Sequence, residues 1–342
     1  MPEVIAEYID RLCTVEMRPG KGNLPRGVIH RLYDAAREHG GGGPLTLGMA
    51  QALADNVKPG DAVLILTGAG GPPVLPKAEV DGILGAAALA RAVHFSLGAV
   101  PYILTEERAA EPVRAAVWGA GLNFRRVDGD EVDHAVTFIP MTDNDDDANR
   151  AQATELLDSL KPAAVIGIEK LAPNRKNVIH GATGLDYTPV HANPRYLFDG
   201  AGERGIVTLG IGDGGNEVGF GVVEDAVREI MPAGNKCVCP CGDGSASNIS
   251  TDRFLVSAIS NWGGYGVAAM LAFLKGDLAP LINADELERM LRGVVDAGAF
   301  DGSTGRPTLG DDGVELQAQR GFIDMLQSIV RIGQVDFASP GH

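Results

Sequence analysis

Carboxylates gather in this chain where apolar runs stop. Residues 205–221, GIVTLGIGDGGNEVGFG, pass from an apolar run into a glycine-rich turn that carries Asp213, Asn216 and Glu217. Residues 163–169, AAVIGIE, end in Glu169, and the polar stretch behind it holds Lys170, Asn174, Arg175 and Lys176. Glu79 and Asp81 lie in 77–82, KAEVDG, and Asn261 and Trp262 in 260–265, SNWGGY. Carboxyl groups crowded together raise one another's pKa toward neutrality, which suits them to give and take protons. The glycines let backbone N–H groups come close to a ligand.

Each of these groups also has a structural use. Glu79 and Asp81 suit the N-terminus of the Ala-rich segment that follows them. Asp213 suits a turn closed by its own side chain, and Trp262 suits packing beneath the next helix. Glu169 is harder to place in that way, because a charge ending a wholly apolar run needs a partner. The glycine run resembles a dinucleotide fingerprint poorly, since two acidic side chains inside the turn would repel a pyrophosphate. There is also no Gly-x-x-x-x-Gly-Lys-[Ser/Thr] loop, so no nucleotide cofactor is expected. The acidic run Asp143 to Asp147 reads as a solvated loop capping the next helix. His180 and His191 lie in the polar stretch after Glu169, while His30, His94 and His134 offer nothing sharper than a surface or core role.

The elements that would position these groups follow from periodicity. Continuous apolar runs at Ala62–Thr67, Val100–Thr105, Ala135–Pro140, Ala163–Glu169, Gly205–Gly212 and Phe254–Ser260 read as buried strands. Helices are expected at Val28–His39, Leu47–Asn56, Val80–Leu97, Glu106–Gly119, Ala148–Leu160, Asn216–Met231, Gly264–Lys275, Ala284–Ala297 and Val314–Val330. Alternation of this kind implies an α/β fold, a mostly parallel sheet with helices on both faces, three-layered and Rossmann-like. Strand ends then share one edge of the sheet, where ligands gather. No repeat or linker forces a boundary, so residues 1–342 are expected to form a single α/β domain with 1–58 as its helical N-terminal part.

Bulk composition agrees with an enzyme of this class. The chain has 342 residues, 45% of them hydrophobic, enough for a substantial core. Its formal charge of −16 argues against nucleic acid and anionic membranes as partners. No apolar run approaches the ~20 residues that span a bilayer, and the acidic start, with Glu3, Glu7 and Asp10, is unlike a signal peptide. A cytoplasmic protein, and a homo-oligomer, is expected. Cys237, Cys239 and Cys241 alternate; on an extended segment they would share one face, and thiolate metal sites more often use Cys-x-x-Cys spacing. They read as small apolar fillers of a strand and its turn, with metal or redox use as the alternative.

Taken together the motifs resemble the D-glutamate cyclase family, specifically its C-terminal catalytic-type domain. The matching pieces are Thr67-Gly68, Glu79-x-Asp81-Gly82, Gly85-Ala86, Glu169, residues 210–219, residues 260–265, and Asp301-Gly302-x-Thr304-Gly305. They run from about Thr67 to Val330 in the family's order, without the extra N-terminal domain of larger members. The resemblance implies a lyase that dehydrates D-glutamate, or a related small acidic substrate, to a lactam, 5-oxo-D-proline in the case of glutamate. It implies Glu169, Asp213 and Glu217 as catalytic groups. A divalent metal, Mg or Mn, held by Asp213 and Glu217 would serve as Lewis acid. Glu79, Asp81, Arg175, Lys176, Asn216, Asn261 and Trp262 would line the substrate, with Arg175 and Lys176 on its α-carboxylate. The loop EKLAPNRKN at 169–177 departs from the family's Arg-Pro-Gly-type segment, so the resemblance carries the reaction class further than it carries glutamate. The rivals are a hydrolase or hydro-lyase opening a related cyclic amide, and a non-catalytic binder of an acidic metabolite.

Overall fold

The protein is described by a computed structural model covering residues 1–19, 25–142 and 145–335. Seven strands form its central sheet: β1 (Ala62–Gly68), β2 (Val100–Glu106), β3 (Asn123–Arg126), β4 (Ala135–Met141), β5 (Ala164–Lys170), β6 (Val207–Gly212) and β7 (Arg253–Val256). All neighbours pair in parallel, in the order β3-β4-β2-β1-β5-β6-β7. β1 and β5 are buried along their whole length, which is why they read as unbroken apolar runs rather than alternating ones.

Side chains of successive strand residues point to opposite faces, and the two faces meet different helices. Val63, Ile65, Ile166 and Ile168 enter a large core shared with the helices Ile83–Leu97, Ser260–Lys275 and Leu316–Gln334. The N-terminal helices Pro2–Cys13, Val28–His39 and Leu45–Asn56 join the same core. Leu64, Leu66 and Val165 face the other way, onto the helices Asp146–Leu160 and Arg195–Glu203. The expected three-layer α/β fold is therefore observed.

Chain order reverses between β1 and β5, so the ends of those two strands flank the topological switch point where open α/β sheets bind ligands. Local differences from the sequence reading cluster there. Asn216–Met231 is not one helix. Residues 213–219 form an irregular loop, with Gly215 and Gly219 at φ 95° and 102°, before a 3₁₀ turn at Phe220–Val223 and a short helix at Glu224–Ile230. The strand expected at Phe254–Ser260 stops at Val256, and the next helix starts at Ser260 rather than Gly264. β3 lacks an apolar run, and Arg195–Glu203 contains two helix-weakening glycines, so neither was foreseen. Among the described residues no helix is long and apolar enough to cross a membrane.

Candidate active site

Glu169 owes its position to a break in register. β1 and β5 pair Thr67 with Ile168 and then Gly68 with Lys170, leaving Glu169 as the extra residue of a bulge. Its φ of 45° is left-handed, a conformation costing a non-glycine residue about 1–3 kcal/mol, so the surrounding structure imposes it. Bulges re-aim side chains, and here the carboxylate turns into the site, where its Oε2 accepts from Ser260 Oγ at 2.6 Å. Lys170 goes elsewhere: its Nζ lies 2.5 Å from Glu106 Oε1 in a fully buried pair. Burial alone would raise the Glu106 pKa, but Lys170 and His191 outweigh it and hold that carboxyl well below the ordinary range.

The loop after β6 is pinned to the loop after β5. Val218 N donates to Lys170 O at 3.0 Å and Ala172 N to Asn216 O at 2.9 Å. Asn216 donates through Nδ2 to His180 O at 2.8 Å. Glu217 Oε1 accepts from Gly214 N at 2.9 Å. Its Oε2 is buried with no hydrogen-bond partner among the described residues. Asp213 Oδ2 accepts from Arg18 Nη1 at 2.7 Å, and the same nitrogen reaches Asp312 Oδ2 at 3.0 Å. Arg18 and Asp312 had not been singled out in the sequence. They lie 195 and 99 positions from Asp213 in an irregular segment and a late turn, and no local pattern flags them.

Asp81 caps a helix, though not the one that follows it. Its carboxylate accepts from Ser260 N at 2.9 Å and Asn261 N at 2.6 Å, the first two residues of Ser260–Lys275, and from Gly82 N at 2.8 Å. Asn261 in turn donates to Asp311 Oδ2 at 2.8 Å and accepts from Gly85 N at 2.6 Å. Both residues hold the strand ends in place rather than facing open space.

A cavity of about 330 Å³ opens in front of these groups, with Glu79, Glu169, Asp213, Asn216, Glu217 and Asp312 on its walls. Glu79, Glu169, Asp213 and Asp311 are driven well above the ordinary carboxyl range, first by burial and then by neighbouring charges of the same sign. Arg18 works against that rise at Asp213. Asp81 reaches about 7, burial and Asp312 outweighing its three backbone donors. Burial also raises Glu217, against the backbone N–H groups of its turn. Such a cluster holds protons near neutral pH, or else holds cations. Oxygen atoms of Glu169, Asp213 and Glu217 converge within 4.8 Å of one another, as do those of Asp81, Asp213 and Asp312.

The structure thus gathers Glu79, Glu169, Asp213, Asn216 and Glu217 around one cavity, with Asp81 and Asn261 behind them. Three residues expected at the substrate stand apart. Arg175 pairs with Glu224 at 2.8 Å and is half exposed. Lys176 donates to Cys241 O at 2.6 Å. Trp262 is buried in the core, stacked on Phe322 with Nε1 donating to Gln319. The sequence placed them by proximity to Glu169 and Ser260, but the chain turns away from the cavity at each. Of the acidic run 143–147, Asp143 lies outside the described residues. Asp145 caps the helix Asp146–Leu160 through Ala148 N, and Asp146 accepts from Asn177 and Asn193.

Residues 43–327 match the family model described as D-glutamate cyclase-like, C-terminal. A segment of 70 residues is also 39% identical to the human protein named D-glutamate cyclase, mitochondrial. That segment is 20% of this chain and 10% of the human protein.

Proposed function

The chain belongs to the D-glutamate cyclase-like family, and from that premise we propose that it is a lyase closing D-glutamate, or an amino acid of the same class, into its lactam. Starting from the zwitterion, the α-amine attacks the γ-carboxyl carbon. A C–N bond forms, a C–O bond breaks, and two protons pass from nitrogen to the departing oxygen, which leaves as water. No net proton is exchanged with solvent. The site must therefore take protons at one end of the substrate and return them at the other.

The observation that carries this reading is the buried carboxylates of Glu169, Asp213 and Glu217, joined by the half-buried Glu79, around one small cavity. Carboxyls whose pKa is raised toward neutrality donate as readily as they accept. Glu169, locked by its bulge and by Ser260, and Glu217, with one oxygen tied to the turn and one without a partner, are the proton-transfer pair. Arg18 steadies Asp213, and Asn216 orients substrate oxygens from the cavity wall.

An acidic substrate entering this cavity is repelled unless the carboxyls are protonated or a cation lies among them. The donor set suits a hard ion: carboxylate oxygens of three buried residues converge, and Glu217 among them has a buried oxygen without a partner among the described residues. With the ion present, Asp213 and Glu217 would hold Mg²⁺ or Mn²⁺, which when bound would supply Lewis-acid polarisation of the γ-carboxyl in place of proton transfer through Glu217, leaving Glu169 to move protons.

The test is turnover of D-glutamate and of 5-oxo-D-proline, followed by chiral chromatography with and without added Mg²⁺ or Mn²⁺. Lactam formation is expected from the wild type, with a loss of at least about 100-fold in Glu169→Gln and Glu217→Gln. Wild-type turnover in both variants would remove the assigned pair. No lactam from any acidic amino acid of a panel would remove the reaction.

A further inference from the structure

The three alternating cysteines take no part in the acidic cavity, and they do not lie on a strand. Residues 231–245 form turns and bends, with Cys237 buried and Cys239 and Cys241 partly so. The turn at Pro240 folds the segment back, so that the three sulfurs face one point instead of one side of a sheet. Cys237 Sγ lies 3.5 Å from Cys239 Sγ and 3.3 Å from Cys241 Sγ. His180, 57 residues earlier than Cys237, completes the group: its Nε2 is 3.2 Å from Cys239 Sγ and 3.5 Å from Cys241 Sγ. All four atoms lie within 4.8 Å of one another.

A tetrahedral zinc site has Zn–S bonds of about 2.3 Å and Zn–N of about 2.0–2.1 Å, which puts its sulfurs about 3.8 Å apart and nitrogen about 3.6 Å from each sulfur. The observed separations fall a few tenths of an ångström short of that tetrahedron, so small side-chain rotations would admit the ion. They are far too long for a disulfide, whose sulfurs are about 2.05 Å apart. Four ligand atoms this close surround one ion, and three thiolates with one imidazole form a set that zinc prefers. Nothing else engages the ring, for His180 Nδ1 is buried with no partner among the described residues.

The surroundings serve the sulfurs as well. Asn174, fully buried, donates through Nδ2 to Gly244 O at 2.8 Å and lies 3.5 Å from Cys241 Sγ. Lys176 brings a cation to the same turn through Cys241 O. Outer-shell donors and cations of this kind hold thiolate ligands in place.

We propose that His180 Nε2 and the thiolates of Cys237, Cys239 and Cys241 bind one zinc ion in a closed, structural site. All four positions are filled by the protein, so no place remains for water or substrate. Its role is to brace the cavity. His180 O receives the Asn216 amide, and Gly181, Ala182 and Thr183, directly after the ligand, line the cavity wall. Zinc would tie that wall to the 237–241 turn.

The full chain, purified without chelator, is expected to contain about one zinc by elemental analysis. Cys239→Ser and Cys241→Ser should lower that content by about tenfold or more, while Glu217→Gln should keep it and so separate this site from the acidic one. An organomercurial added to native wild-type protein should release zinc in step with modification of three thiols. Cobalt exchanged into the protein should show the visible bands of a tetrahedral thiolate site. A folded wild type that contains no zinc and takes up no cobalt would overturn the proposal. So would a disulfide among these cysteines by mass spectrometry, or zinc retained by the Cys239→Ser/Cys241→Ser double variant.

Discussion

Arg18→Met isolates the electrostatics of the acidic centre. One guanidinium nitrogen sits between Asp213 and Asp312 at 2.7 and 3.0 Å, and all three side chains are at least nine-tenths buried. Removing one partner of a buried ion pair costs about 3–5 kcal/mol when the remaining charge stays ionised. Asp213 has another course, which is to take up a proton. Arg18 lowers its pKa in the native protein, so the variant raises it, and the folded state then binds a proton more tightly than the unfolded chain does. The loss is therefore expected to depend on pH. The loss should grow as pH rises, toward about 3–5 kcal/mol where Asp213 is ionised. Near pH 5 protonation relieves the repulsion, and only the lost hydrogen bonds remain, about 1–2 kcal/mol. Urea unfolding of both proteins at pH 5 and pH 8, in buffer without divalent cations, measures the difference. A loss equal at both pH values, or below about 1 kcal/mol at pH 8, would refute the coupling of Arg18 to a proton-holding Asp213.

Two further outcomes are expected. Asp81, near 7, and the other raised carboxyls bind protons in the folded state that the unfolded chain has already released, so wild-type stability should fall as pH rises from about 4 through 7, by about 1.4 kcal/mol per pH unit for each such proton. Millimolar Mg²⁺ or Mn²⁺ should oppose that fall, and a thermal midpoint that rises from pH 5 to 8 in chelated buffer would contradict it. A Cβ at Gly302 would collide with the Glu79 carboxylate, so Gly302→Ala should push that flexible side chain out of the cavity. Lactam formation should drop with the thermal midpoint almost unchanged; unchanged turnover would mean that Glu79 has no part in the site.

Much of the architecture was legible because local chemistry encodes it. The run 62–66 is apolar at every position since β1 is buried on both faces, and the 83–97 helix is Ala-rich because it packs against other helices and the sheet. The edge strand β3, with both faces half exposed, carries no such signature and was not legible. Glu169 was legible as a carboxylate out of place at the end of an apolar run, but its bulge was not, because register belongs to the pair β1–β5 and to neither strand alone. The helix expected at 216–231 failed for a related reason. Hydrophobic spacing there is helical, yet two glycines with positive φ and the bonds to the loop after β5 hold the segment open.

By itself, then, the sequence determined the parallel α/β architecture and the fact that its strand ends carry acids, because burial and backbone preference are properties of neighbouring residues. Tertiary structure alone decided the partners. It set Arg18 between Asp213 and Asp312, across separations of 195 and 294 residues, and it spent Asp81 on a helix that begins 179 residues later. It turned Arg175, Lys176 and Trp262 away from the cavity and brought His180 to three cysteines that looked like strand fillers. Contacts at such distances are made by the order of strands in the sheet, and that order is set by the packing of both its faces, with no counterpart in any local window of sequence.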